Sequence, residues 1–327
     1  MKIGIIEFNS CHSETLLSWI EYINNKNYNY NIFVKNKKNN WLDYYNSLIN
    51  FRSKILLINN LDFMIDEYDI LFINTSHIVD TNNDLFKKMI EYNKKIIFIH
   101  HYDKPLFKNT INNIIVTPLL KKYIKKKTKS DIINYILPIF KFKKISKEEF
   151  KYLFCFIGNM RHRNLINFEK ILELSINYNF KILYIGNNFG LENFNLNKYK
   201  NFVHFSNLNS IDFIEKLSYV KYLLPIVNTK KCYSKKRLTG IIPLGINFNI
   251  PLIINSIIAN IYNFNNLNSI IYNDKNFVEI IIKIINKEYD YISLKNNLSK
   301  MNEKIIKNNN EILDNIIYKI KNFRPIY

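Results

Sequence analysis

Three groups of residues in this chain have the types and spacing to do chemistry. The first is a basic cluster, Lys235, Lys236 and Arg237, in "KKRLTGIIPLGINFNIPLII", with Tyr233 just ahead of it. The chain holds only 6 Gly and 7 Pro, yet Gly240, Pro243, Gly245 and Pro251 all fall in this run. Thr239 could cap a helix that starts here, and Gly240 lets backbone approach a ligand closely. Pro243 falls within the first turn, and Pro251 opens a strand, two places where a missing N–H costs little. Cations ahead of a helix N-terminus suit a diphosphate. The plainer alternative is a capped helix beside solvated charges.

The second group lies in "FIGNMRHRNLINF" and "YIGNNFG". Gly158 permits a tight turn, and Asn164 could cap the helix that follows. Arg161 and Arg163 sit at that helix start, where an Arg fork grips phosphate oxygens two at a time. The alternative is an ordinary strand-to-helix turn with solvated arginines. Gly186 marks a second tight turn after a strand. The spacing is not G-x-G-x-x-G, so no dinucleotide fingerprint is present.

The third group is histidine. His12, His77 and the pair His100/His101 each follow an apolar run. Histidine suits proton transfer near neutral pH. Asp103 is close enough in sequence to orient His101 or to act itself. His12 and His101 lead as bases, ahead of His77, with Asp103 and Glu7 as the carboxylate alternatives. "DTNND" is a poor match to a metal-binding acid pair, so no metal site is expected.

Elements must hold these groups in place. Apolar runs without in/out alternation, such as "ILFIN" and "KIIFIHH", predict buried parallel strands. In the first half these are Ile3–Phe8, Asn31–Lys35, Lys54–Ile58, Ile70–Asn74, Ile96–His100 and Ile114–Thr117, with helices Ser13–Asn24, Trp41–Asn50 and Asn83–Tyr92. The pattern restarts after a charged stretch, residues 137–152. Strands Leu153–Gly158, Lys181–Gly186, Phe202–Phe205, Tyr222–Val227, Pro251–Ile254 and Ser269–Tyr272 then alternate with helices Leu165–Asn177, Ile211–Val220 and Asn276–Lys287. Residues Ile292 to Phe323 read as one helix with an apolar stripe at Ile312, Leu313, Ile316, Ile317 and Ile320. The expected class is α/β: two Rossmann-like, doubly wound parallel-sheet domains with a ligand cleft between them. The expected divisions are 1–145, 146–290 and a terminal helix, 291–327, crossing back to the first domain.

Composition narrows the partners. The net charge is +20, and residues 104–147 carry twelve Lys against one acid, Asp131. Such a field attracts phosphate, nucleic acid or an anionic membrane. "LLKKYIKKK" mixes apolar residues with cations, as surface-binding segments do. Asn, Lys, Ile, Tyr and Phe all have A/T-rich codons, so codon bias inflates the lysine count. Three scattered cysteines give neither a disulfide framework nor a zinc spacing. No signal peptide or membrane span is read, and a cytoplasmic protein is expected.

From "FVHFSNLNSIDFIEKLSYVKYLLPIVNT" through "KKRLTGIIPLGINFNIPLII", the order strand, turn, helix, strand, loop, small-residue helix, strand resembles the carboxyl-terminal domain of GT-B fold glycosyltransferases. "FIGNMRHRN" is similar to that domain's first turn, which faces the donor phosphates. The resemblance covers residues 153–274, and the first half matches only in architecture. It implies a transferase that moves a sugar from a nucleotide-sugar donor to a glycan, lipid or protein acceptor. Gly158, Arg161, Arg163, Gly186, Tyr233, Lys235, Lys236, Arg237, Thr239 and Gly240 would hold the donor, and His12, His101 or Asp103 would serve the acceptor. No separate cofactor and no specific nucleic acid are expected. Retaining members often carry two glutamates around the small-residue helix, but 234–251 contains no acid. The competing readings are a sugar-nucleotide epimerase of the same fold, a basic nucleic-acid-binding protein, and a non-catalytic relative.

Overall fold

Residues 1–8, 15–35, 54–58, 65–74, 95–101, 112–130, 132–140, 149–187, 189–192, 194–229 and 237–322 are described by the computed structural model. The chain divides into two compact units, Met1–Phe140 with Ile305–Tyr327, and Lys141–Lys304. The expected helices Trp41–Asn50 and Asn83–Tyr92 lie outside the described residues.

In the first unit the apolar runs form β1 (Lys2–Glu7), β2 (Asn29–Val34), β3 (Ile55–Leu57), β4 (Ile70–Ile73), β5 (Ile96–His100), β6 (Asn112–Ile115) and β7 (Ile133–Tyr135). The order is β3-β2-β1-β4-β5-β6-β7 and every pairing is parallel. The chain steps outward from β1 and then returns to its other side, so the order reverses between β1 and β4. Every residue of β4 and β5 is buried, as a sheet covered on both faces requires. Helix α1 (Leu16–Asn25) buries Leu16, Leu17, Trp19, Ile20, Tyr22 and Ile23. Helix α2 (Lys121–Thr128) buries only Ile124 and Thr128 and leaves its lysines exposed. Strand β7 was not expected from the sequence: three half-buried residues beside a lysine run carry too little apolar pattern.

The second unit holds β8 (Tyr152–Ile157), β9 (Ile182–Ile185), β10 (Phe202–Phe205), β11 (Val220–Leu223), β12 (Leu252–Asn255) and β13 (Ser269–Tyr272). Its order, β10-β9-β8-β11-β12-β13, is again all parallel, with the reversal between β8 and β11. Around it lie α3 (Leu165–Asn177), α4 (Ser210–Ser218), α5 (Ile241–Asn247), α6 (Ser256–Ile261) and α7 (Phe277–Ile285), and the first part of α8 (Tyr291–Lys321). Phe154 meets Phe180 and Phe156 meets Phe168 edge to face, at centroid distances of 5.3 and 5.2 Å, in its core.

Asparagine does local work that glycine does elsewhere. Asn164, Asn209 and Asn255 accept from backbone N–H groups and cap α3, α4 and α6. Asn27, Asn179, Asn249 and Asn263 each adopt positive φ two residues past a helix end, where a left-handed residue stops the helix.

The segment of α8 that belongs to the first unit is tied into it by polar bonds. Asn309 Nδ2 donates to the Leu137 carbonyl at 2.8 Å. Tyr22 Oη and Lys26 Nζ donate to the Asp314 carboxylate at 2.7 and 2.8 Å. Burial alone would raise the Asp314 pKa, but these two bonds outweigh it and hold it below the usual value. A carboxylate with a lowered folded pKa adds stability above the unfolded pKa and loses it as pH falls through the folded one. Acid titration of unfolding should therefore show a steeper loss for the wild type than for Asp314→Asn. The difference at neutral pH should stay near or below about 1 kcal/mol, because the pair is partly exposed.

Candidate functional site

The turns that follow β8, β9 and β11 meet at the carboxyl edge of the second sheet. Gly158 leaves β8 with φ +88°, a conformation that favours glycine, and its N–H donates to the Ile185 carbonyl at 2.8 Å. Asn159 Oδ1 then accepts from Arg161 N at 2.7 Å, starting the short turn Met160–His162. Asn164 N donates to the Ile226 carbonyl at 2.7 Å, and Arg163 forms a β-bridge with Val227. These two contacts join the loop after β8 to the segment after β11, across the reversal in strand order. They also explain why β11 ends at Leu223 rather than at the expected Val227: the chain turns away, with Ile226 at φ +35°.

Gly186 closes the second turn against the first. A Cβ there would land on the Gly158 carbonyl oxygen, with the Tyr184 hydroxyl 2.9 Å away. Gly186→Ala should therefore force the two strand ends apart and cost roughly 1–3 kcal/mol, read as a lower melting temperature. The Tyr184 hydroxyl lies between the carbonyls of Gly158 and Asn187 and shares its single proton between them. Burial raises its pKa to about 12, despite the opposing Arg163 charge. Tyr184 stacks on His204 at 4.8 Å, and a ring nitrogen of His204 bonds the Gly186 carbonyl at 2.7 Å. Neither residue stood out in the sequence, because both sit inside ordinary apolar runs.

Arg163 is 5% exposed. Its Nη1 donates to Thr239 Oγ1 at 3.2 Å and its Nη2 to the Ile157 carbonyl at 2.9 Å. The structure thus brings Gly158, Arg163, Gly186 and Thr239 together. It corrects two expectations. Thr239 does not cap α5: Gly240 is the N-cap, no side chain caps the helix, and the Thr239 hydroxyl goes to Arg163. Nor is Arg163 a solvated arginine, as the plainer reading of this turn had it: its guanidinium is buried and bonded. Gly240 has φ −57°, and a Cβ there would meet open space, so neither conformation nor packing demands glycine. Pro243 sits in the first turn of α5, as expected. Arg161 is exposed and Arg237 half-buried. Tyr233, Lys235 and Lys236 lie outside the described residues.

In the first unit, His101 follows β5 and is 5% exposed. Its neighbour His100 is fully buried and bonded to Asn113 Oδ1 at 2.8 Å. Burial lowers the His100 pKa to about 4, against the pull of that bond, so the ring is neutral at physiological pH. His12, His77 and Asp103 lie outside the described residues. Among the described residues, no group of three or more His, Cys, Asp or Glu is placed to hold a metal ion. No helix among them is long and apolar enough to cross a membrane.

No family model matches the chain, and no curated protein matches it. Solved structures do. HepE of Anabaena, in complex with UDP-glucose, is 8% identical, with a TM-score of 0.65 over 97% of this chain and 99% of that one. A glycosyltransferase of Rickettsia africae is 11% identical, with a TM-score of 0.59 over 99% of both chains. A DNA-modifying β-glucosyltransferase, studied with and without uridine diphosphoglucose, is 15% identical, with a TM-score of 0.54 over 98% of both. Superpositions of this extent establish likeness of fold alone, and the fold of this chain is that of the GT-B glycosyltransferases.

Proposed function

We propose that this protein is a glycosyltransferase that moves a sugar from a nucleotide-sugar donor to a glycan, lipid or protein acceptor without an obligatory metal. The observation that carries the reading is the convergence of the Gly158 turn, the Gly186 turn and the Arg163–Thr239 bond at the carboxyl edge of the second sheet. Ligands of doubly wound sheets bind at that edge, where the strand order reverses. Arg161, Arg237 and the lysines at 235 and 236 supply positive charge for a leaving diphosphate. The donor belongs mainly to the second domain and the acceptor mainly to the first.

A thermal-shift screen with UDP-, GDP-, ADP- and CMP-sugars tests this, starting with UDP-glucose, which two of the structural neighbours bind. The matching donor at a hundred times its dissociation constant should stabilise the protein by about 2.7 kcal/mol. No shift with any of the four would count against the reading. The same reading includes a peripheral contact between α2 and an anionic membrane, supported by the exposure of Lys121, Lys122, Lys125, Lys126 and Lys127. Equal partitioning onto neutral and anionic vesicles at low salt would remove that contact.

A further inference from the structure

The carboxyl ends of β1 and β4 hold a buried polar cluster. Glu7 is the last residue of β1, and Asn74 directly follows β4. Ile6 pairs with Ile73, so Glu7 and Asn74 stand side by side. Asn74 Nδ2 donates to Glu7 Oε2. Asn74 Oδ1 accepts from Thr15 Oγ1 at 3.0 Å and from Trp19 Nε1 at 2.7 Å. Two donors on one oxygen fix which way the amide faces, and so aim its NH₂ at the carboxylate. Glu7 is 2% exposed and Asn74 0%.

Burying a carboxylate costs free energy that an apolar side chain of similar size would not. β1 is otherwise apolar from Ile3 to Ile6, so local patterning argues against a charge at this place. Departures of this kind gather at functional sites. The place itself is informative: the order of the first sheet reverses between β1 and β4, the position at which doubly wound sheets bind ligands.

We infer that Glu7 is the catalytic base, with Asn74, Thr15 and Trp19 as its positioning residues. The inference rests on the glycosyltransferase reading. In the step, the acceptor hydroxyl oxygen bonds to the anomeric carbon and its proton passes to the Glu7 carboxylate. The bond from the anomeric carbon to the diphosphate oxygen breaks, and its electron pair leaves with the nucleoside diphosphate. The proton then returns to solvent. A carboxylate already stripped of water has no hydration shell to shed when the hydroxyl arrives.

The test uses full-length protein and the donor identified by the nucleotide-sugar screen, with water as the acceptor, so that turnover is donor hydrolysis. Glu7→Gln keeps the shape and still accepts from Asn74. It should leave donor affinity within about two-fold and lower turnover by about 10²–10⁴-fold, and added formate should partly restore turnover to Glu7→Ala. Turnover of Glu7→Gln within about three-fold of wild type would overturn the inference. So would a fall in donor affinity that matches the fall in turnover. Should Glu7→Gln fail to fold, Asn74→Ala carries the test: kcat should fall about ten-fold at unchanged donor KM, and an unchanged kcat would overturn it. A wild-type protein that binds no nucleotide sugar would defeat the glycosyltransferase reading, and this inference with it.

Discussion

A chain ending at Lys304 should lose most of the stability of its first unit. Residues 305–327 belong to that unit although they come last in sequence. They place Leu313, Ile316 and Ile317 in its interior, at 1%, 5% and 3% exposure. Burying each is worth about 1.5–3 kcal/mol, or roughly 5–9 kcal/mol together. A domain's whole stability is on the order of 5–15 kcal/mol. The cut also removes the Asn309 bond to the Leu137 carbonyl and the Asp314 bonds to Tyr22 and Lys26. Hydrogen exchange should show β1 and α1 unprotected in the truncated chain while β8 and α3 stay protected. Unchanged protection in β1 and α1 would mean that the stripe contributes little.

Arg163→Ala should lower both stability and donor affinity. Its guanidinium is buried between the Ile157 carbonyl and the Thr239 hydroxyl. Bonds from a charged donor are worth about 1.5–3 kcal/mol each, and an acceptor left buried without a partner costs about 1–3 kcal/mol. A loss of roughly 3–5 kcal/mol in unfolding free energy follows. The turn from Gly158 to Arg163 loses its anchor at the same time, so nucleoside diphosphate affinity should fall with it. Arg237→Ala, at a half-buried residue, should weaken binding and leave the melting temperature near wild type. Equal melting temperatures for wild type and Arg163→Ala would show that the buried cation is not an anchor.

The contrast between these two arginines shows what could be read from the sequence. Strands β5, β10 and β13 and helix α3 were legible at their observed bounds. Each is a local pattern: an unbroken apolar run, or a periodic one behind an Asn cap. The prolines at 243 and 251 were legible too, since their meaning is local: Pro243 sits in the first turn of α5 and Pro251 directly precedes β12. The partners of the site residues were not. Thr239 looked like a cap because a threonine ahead of a helix usually is one, but a guanidinium 76 residues away takes its hydroxyl. The Glu7–Asn74 bond spans 67 residues and the Trp19–Asn74 bond 55. Such pairings exist only once the sheet order is set. Helix α6 was missed for a different reason: "NSIIANI" directly continues an apolar strand, and only the Asn255 cap marks the change.

The most direct measurement is product analysis after incubating the full-length protein with the nucleotide sugar that stabilises it. A glycosyltransferase should accumulate the free nucleotide of that donor, one for each sugar passed to acceptor or water. Quantitative recovery of the nucleotide sugar, unchanged or as an isomer with no net release of free nucleotide, would contradict the account.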